Sequence, residues 1–254
     1  MRYSSKAKQY ILKAAAFLLA IVVWQAAAMA LDSKILLASP VNAVSRLFAI
    51  FGEADFSRIL WFSFRRIASG FFLAFLLGVL LAVISGRFRT FELLLWPYMV
   101  TIKSVPVASF IVIALMWLSS RRISVFISFL MVLPIVYTNV LEGIRHLDPK
   151  LTEMAAVFRV PWRRRFLYIW LPQLKPYIFS ACRLSLGLAW KAGIAAEIIG
   201  IPDGSIGEML YQAKVYYNTA DLFAWTIVIV AVSVIFEKAV LFIIGHIYKG
   251  IEKL

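Results

Sequence analysis

The feature that most constrains the fold is a basic segment with helical patterning, residues 153–172, which lies between long apolar runs. Its apolar residues recur at helical spacing and Pro161 interrupts them, which predicts two short helices with a bend between them. Charged side chains are costly at the centre of a bilayer, and cytoplasmic loops are the ones enriched in Lys and Arg. We therefore expect this segment on the cytoplasmic side of a membrane. The cations in and beside it are Lys150, Arg159, Arg163, Arg164 and Arg165.

The composition is that of a membrane protein. Of the 254 residues, 63% are hydrophobic, whereas soluble domains are nearer half apolar. The formal net charge of +14 would suggest nucleic-acid binding in a soluble protein, but here the cations lie between apolar runs. That placement indicates topology and contact with lipid head groups, so no nucleic-acid partner is expected. The single cysteine, Cys182, excludes an internal disulfide, and no cluster of His and Cys suggests a metal site.

Six apolar runs are predicted to cross the membrane, with both chain termini in the cytoplasm. The predicted fold is an all-α membrane protein with a single transmembrane domain over residues 1–254, in which an inner loop, 142–171, joins the fourth and fifth spans. The predicted spans are 14–31, 67–85, 97–118, 123–141, 172–200 and 222–247. The first run could instead be a signal peptide, since Ala28-Met29-Ala30 resembles a cleavage site, but its apolar core is long for one.

Prolines mark two further features of the chain. Ser39 followed by Pro40 is a typical helix start, and the helix after it is too short and too mixed to span. It is expected either to lie flat on the outer surface or to pack as a loop helix, and the sequence leaves both open. In the third apolar run, Pro97 and Pro106 predict a bent helix that lines a path, because the carbonyls they free need water or other helices as partners.

Polar residues inside the predicted spans are the candidates for a solute path. Such groups usually face a cavity, and a lysine there would favour an anionic solute; alternatively, each is paired and structural. These candidates are Lys103, Ser104, Lys191 and Glu197. The chain has no Gly-x4-Gly-Lys-Ser/Thr loop for ATP, and no Ser-His-Asp or Cys-His arrangement can be proposed. We therefore expect no catalytic residues, no cofactor and no enzyme activity in this chain.

The basic segment resembles the cytoplasmic EAA loop of bacterial ABC-importer permeases. The family pattern is Glu-Ala-Ala, then Gly, then an ending Ile-x-Leu-Pro. Glu153 and the ending Ile169-Trp170-Leu171-Pro172 keep the overall spacing of that pattern, and Ala155 matches the second Ala. Met154 replaces the first Ala, and Arg159 stands where the family has Gly. The bend is therefore expected either at that position or at the Val160-Pro161 pair that follows it.

The flanking residues extend the resemblance beyond the motif. Leu147-Asp148-Pro149, Pro176-Tyr177-Ile178 and the order of apolar runs are similar to the branch that imports nitrate, taurine, aliphatic sulfonates and related small solutes. The resemblance implies the transmembrane subunit of an ATP-driven importer in the bacterial inner membrane. Its implied partners are two copies of an ABC ATPase subunit, an extracytoplasmic solute-binding protein and a second permease copy, most simply as a homodimer.

The resemblance also implies a role for the basic segment. In the family this loop docks into a cleft on the ATPase, and the residues of this chain that would make the contact are Glu153, Ala155, Phe158 and Arg159. Three alternatives stay open at this point. The loop could merely bind anionic lipid through its arginines. The chain could be an ion-gradient-driven secondary transporter with Glu197 and Lys191 as its coupling site, or a membrane scaffold that transports nothing.

Overall fold

The computed structural model describes residues 3–31 and 36–251, and every regular element in those ranges is a helix. Residues 1–2 and 252–254 lie outside the described residues, and they include the terminal cations Arg2 and Lys253. The elements are α1 (Tyr3–Leu31), α2 (Pro40–Phe51), α3 (Phe56–Arg87), α4 (Arg89–Ser104), α5 (Val107–Leu115), α6 (Ser120–Arg145), α7 (Pro149–Val157), α8 (Trp162–Arg165), a π-helical segment (Phe166–Trp170), α9 (Leu171–Gly200), α10 (Ile206–Val215) and α11 (Thr219–Ile251).

Four of the described helices, α1, α3, α6 and α11, are long and apolar enough to cross a membrane. Helices α4 and α5 together would make a fifth crossing, although their axes meet at 101°. Helix α9 is long enough but is not among these candidates, and Arg183, Lys191 and Glu197 lie within it. The all-α membrane fold is thus confirmed with four or five candidate spans, whereas a sixth crossing stays a prediction.

Helices α3, α6 and α9 form the centre of the molecule. Helix α3 presents a small residue to the interior once per turn, at Gly70, Ala74, Gly78 and Ala82. A side chain at the first of these positions does not fit, because a Cβ on Gly70 would lie 2.5 Å from the backbone carbonyl oxygen of Val125 in α6. Small residues of this kind let membrane helices approach closely, since packing rather than water exclusion holds such helices together.

The two prolines of the third predicted run behave differently. Pro97 lies inside α4 without ending it, and its carbonyl accepts a hydrogen bond from Thr101 Oγ1 at 2.8 Å. The bend occurs at Val105, which is extended (ψ 134°) and precedes Pro106. A residue before proline is driven out of the helical region by contact with the proline ring. The predicted bent helix is therefore present, with its break at the second proline.

Helix α2 packs on the molecule through one face. Ser39 caps it, with Ser39 Oγ accepting from Asn42 N at 3.2 Å, and Ala43 and Ile50 are fully buried. Arg46 pairs with Asp221 at the start of α11, and this hydrogen bond raises the pKa of Arg46 above its ordinary value. The contacts of α2 with α11 favour the expectation of a packed loop helix over that of a helix lying flat on the membrane surface.

Several helices extend past the apolar runs that predicted them. Helix α3 begins at Phe56 rather than at residue 67, α4 begins at Arg89 rather than at 97, and α6 ends at Arg145, which shortens the inner loop. A ten-residue helix, α10, lies between the fifth and sixth predicted spans. Charged residues end an apolar run without ending a helix, because long Lys and Arg side chains can extend away from the apolar surface.

Candidate functional site

Three cations line one open groove on the surface formed by α4, α6 and α9. Lys103 comes from α4, and Arg183 and Lys191 come from α9, in a cavity of about 600 Å³. Thr138 and Asn139 of α6 add a hydroxyl and an amide, and the other lining residues are apolar or glycine. No carboxylate is among the residues that line it in the described part of the chain. A cationic groove with hydrogen-bond donors and low-dielectric walls attracts anions.

The positions of these groups follow from their helices. Arg183, Gly187 and Lys191 are spaced by four residues and therefore share one face of α9. Gly187 leaves that face open, since nothing lies within 4 Å of where its Cβ would be. On α6, Thr138 Oγ1 donates to the carbonyl of Pro134 at 2.7 Å, and it lies 3.4 Å from Lys103 Nζ. The four-residue spacing on α9 thus places Arg183 and Lys191 in the groove, and the last turn of α4 before its bend places Lys103 there.

A smaller cavity of about 240 Å³ shares Lys103 and Thr138 with the groove. It is also lined by Glu92, Glu142 and Arg145, so the acidic groups that line these two cavities, among the described residues, lie at this end. Glu92 accepts a hydrogen bond from Arg89 Nη1 at 2.8 Å and a second from Arg145, which joins the start of α4 to the end of α6. An ion pair therefore lies at the end of the groove nearest the basic loop.

The structure brings only two of the four predicted path residues together. Lys103 and Lys191 line the same groove. Ser104 is exposed, is not among the groove residues, and donates its hydroxyl to the carbonyl of Val100 at 2.9 Å. Glu197 is 0% exposed and is hydrogen-bonded to Ser63 of α3, away from the groove. The sequence signal that was missed is the eight-residue spacing of Arg183 and Lys191, which puts both on one helix face.

The basic loop carries an exposed apolar surface. Phe158 is 75% exposed, and Glu153 is also exposed, whereas Ala155 is fully buried. The other exposed apolar side chains of this surface are Leu151, Met154, Val157 and Trp162. Contiguous apolar patches surrounded by charge are typical of sites that contact another protein.

Arg159 produces the bend after α7. Its backbone is left-handed, with φ 49°. Arg159 N donates to the carbonyl of Ala156 at 3.1 Å, and Val160 N donates to that of Ala155 at 2.9 Å. This pair of bonds is the Schellman motif, whose left-handed position usually holds glycine. The bend therefore lies at the position where the resemblance has Gly, and Pro161 prevents α7 from continuing through the bend.

The second half of the loop is continuous with α9. Helix α8, the π-helical segment and α9 follow one another without a break from Trp162 to Gly200. Gln173 in the first turn of α9 fixes the base of α7, because its Oε1 accepts from Asp148 N at 2.8 Å. Asp148 in turn caps α7, with its side chain accepting from Lys150 N. Helix α7 is therefore joined to α9 through the chain and through this hydrogen bond.

The sequence from residue 74 to residue 253 matches the family described as binding-protein-dependent transport system inner membrane component. The chain belongs to this family. It is therefore a permease subunit of a transport system and not an enzyme, and ATP hydrolysis takes place on a separate subunit. ATPase and binding-protein partners follow in general from membership of this permease family.

Three of the known permeases similar to this one are named for anions. A Bacillus subtilis protein named as an aliphatic sulfonates transport permease, SsuC, is 30% identical over 216 residues, covering 84% of this chain and 78% of its own. The bicarbonate transport permease CmpB of Synechococcus elongatus is 27% identical over 70% of this chain and 64% of its own. The nitrate import permease NrtB of the same organism is 29% identical over 59% of this chain and 54% of its own.

Proposed function

We propose that this permease carries a small inorganic or organic anion, of the nitrate, bicarbonate or sulfonate class, along the groove between α4, α6 and α9. The observation that carries the proposal is the charge of the groove, where Lys103, Arg183 and Lys191 converge without a carboxylate. Asn139 would donate the second N–H of its amide to an oxygen of the anion, since its first is donated to the carbonyl of Ile135. We leave Ser104 and Glu197 out of the path, because neither lines the groove.

The anion path is tested in proteoliposomes that contain the permease with its ATPase and its binding protein. Uptake of nitrate, bicarbonate and an alkanesulfonate is measured for Arg183→Ala and Lys191→Ala. Each substitution is expected to lower uptake of the transported anion about tenfold or more, since a hydrogen bond to a charged group contributes roughly 1.5–3 kcal/mol. Lys191→Arg should retain most of the uptake, and the control Lys214→Ala, at an exposed lysine of α10, should retain all of it.

Two results would contradict the anion path. One is wild-type uptake by both alanine variants at normal expression. The other is ATP-independent uptake by the permease alone under an ion gradient, which would instead support a secondary transporter. A stimulation of ATP hydrolysis by the loaded binding protein would exclude a scaffold that transports nothing.

We also propose that α7 makes the contact with the ATPase. The exposed Phe158 and Glu153 would enter the partner's cleft, Arg159 would shape the turn beside them, and the buried Ala155 would support the helix from below. Phe158→Asp and Glu153→Ala should each weaken co-purification of the ATPase while the permease stays inserted. Tyr216→Asp is the matched control, because Tyr216 is 77% exposed but lies after α10. Equal co-purification of all three variants would remove the docking role.

The proposed orientation places α7 and α8 in the cytoplasm and α10 on the outer side. It requires α9 to cross the membrane as the sixth span, with both chain termini inside, in the bacterial inner membrane. The continuous helical run from Trp162 to Gly200 supports this, since it is roughly 55 Å long and exceeds the thickness of the hydrocarbon core. The assembly would hold two permease copies and two ATPase subunits. Labelling of single cysteines placed at Arg164 and Lys214 from either side tests the orientation.

A further inference from the structure

Glu197 is a carboxylate buried completely near the end of α9. Its Oε2 accepts a hydrogen bond from Ser63 Oγ of α3 at 2.7 Å and another from Gly207 N at 3.3 Å. The Arg66 guanidinium of α3 also acts on it electrostatically, whereas its other oxygen, Oε1, and the nearby Ser124 hydroxyl of α6 have no hydrogen-bond partner among the described residues. A buried polar group is stable when hydrogen bonds replace the lost water, and here α3 and α10 supply them to Oε2 of Glu197.

Glu197 also contacts the first turn of α10. Its first three backbone N–H groups all have side-chain acceptors: Ile206 N donates to Ser63 Oγ at 3.0 Å, Gly207 N donates to Glu197, and Glu208 N donates to Ser205 Oγ at 3.0 Å. Two of these acceptors belong to α3 and α9. The positive end of a helix dipole favours a carboxylate, so Glu197 acts as a cap for a helix other than its own.

The contact between α9 and α10 leaves no space for a side chain. A Cβ on Gly207 would lie 2.2 Å from Glu197 Cβ and 2.5 Å from its carbonyl carbon. The connection between the two helices is also tightly turned, with Ile201 at φ 45° and Gly204 at φ 74°. Gly204 N donates to Glu208 Oε2 at 2.6 Å, which ties the turn to α10. The start of α10 therefore has few ways to move without α9.

We propose that Glu197 is a positioning residue that fixes the outer helix α10 to the end of α9, so that movement of the basic loop is transmitted across the membrane. The inference rests on the proposed function, in which α7 contacts the ATPase and α10 lies outside. Helix α9 and the segment before it form one helical run between the two surfaces, and Glu197 is the hydrogen-bonded link at the outer end of that run. The same link works in reverse, from a binding protein outside to the ATPase inside.

The test uses the complete transporter in nanodiscs, with Glu197→Ala, Glu197→Gln and Ser63→Ala. Two ATPase rates are measured, the basal rate and the rate with the loaded binding protein. Spin labels at the exposed positions Ser180 of α9 and Lys214 of α10 report the distance between the two helices. Glu197→Ala should lower the stimulation by the binding protein at least tenfold, keep the basal rate within twofold, and broaden the distance distribution. Glu197→Gln keeps an acceptor for Ser63 and Gly207 and should retain at least half of the stimulation.

Ser63→Ala provides the second route to the same result if Glu197→Ala fails to insert. It removes one cap of α10 and should broaden the same distance distribution. Wild-type stimulation with an unchanged distance distribution in Glu197→Ala or Ser63→Ala would overturn the proposal. So would equal losses in Glu197→Gln and Glu197→Ala, which would assign the carboxylate a proton or charge role instead.

Phe158→Asp separates this inference from the proposed function. If Phe158→Asp removes ATPase coupling but Glu197→Ala does not, the positioning role fails alone. If Phe158→Asp leaves coupling intact, the docking role of α7 fails first, and with it the premise of the inference.

Discussion

Replacing Arg159 by glycine should stabilise the bend after α7, although it removes a cation from a basic loop. Arg159 has φ 49°, a left-handed conformation that costs a residue with a Cβ roughly 1–2 kcal/mol. Glycine avoids this cost but loses about 0.5–1 kcal/mol more backbone entropy when it is ordered. The difference is a net stabilisation of about 0.5–1 kcal/mol, which lowers the open fraction of the turn about two- to fivefold.

Amide hydrogen exchange of the purified permease measures this opening. The reporter is Val160 N, which donates to the carbonyl of Ala155 at 2.9 Å and becomes free to exchange when the turn opens. Arg159→Gly should slow exchange in peptides that contain Val160 about two- to fivefold. Arg163→Gly is the matched control, since it removes the same side chain from a helical position in α8 and should speed exchange.

The direction of the change in exchange rate distinguishes backbone strain from contacts of the side chain. Faster exchange in Arg159→Gly would mean that contacts of the arginine side chain outweigh the backbone strain. Equal effects of the two glycine variants would mean that charge, and not conformation, controls the turn.

Two further predictions concern the packing of the helices. Gly70→Ala should lower the thermal unfolding midpoint by the equivalent of about 1–3 kcal/mol, because the added Cβ meets a backbone carbonyl of α6, whereas Gly187→Ala should not lower it. The buried Cys182 reports unfolding through its reaction with a thiol-reactive dye, and equal midpoints would contradict the close approach. A double-mutant cycle on Arg46 and Asp221 should give a coupling free energy of about 1 kcal/mol in unfolding stability, and this coupling should decrease with salt. Zero coupling at low salt would show that the ion pair does not hold α2 to α11.

Local pattern was enough to predict the class of the fold and the bend in the basic loop. Apolar runs of spanning length, Ser39 before Pro40 and Pro106 in the third run each correspond to a feature of the structure. These predictions succeed because backbone hydrogen bonds in a membrane helix are made within the helix itself, so composition and prolines along the chain decide where helices form and bend. The same residues, through the resemblance they carry, indicated the permease family that the match over residues 74–253 confirms.

Packing was needed for everything that depends on contacts between distant parts of the chain. The sequence offered Lys191 and Glu197 as equivalent polar residues of one helix, and the structure places the first in an open groove and the second in a buried network with Ser63 and Gly207. The reason is physical: which side of a helix faces lipid, groove or neighbour depends on how helices rotate and approach one another. That arrangement is set by close contacts such as those at Gly70 and Gly207, and spacing along one helix carries no information about its partner.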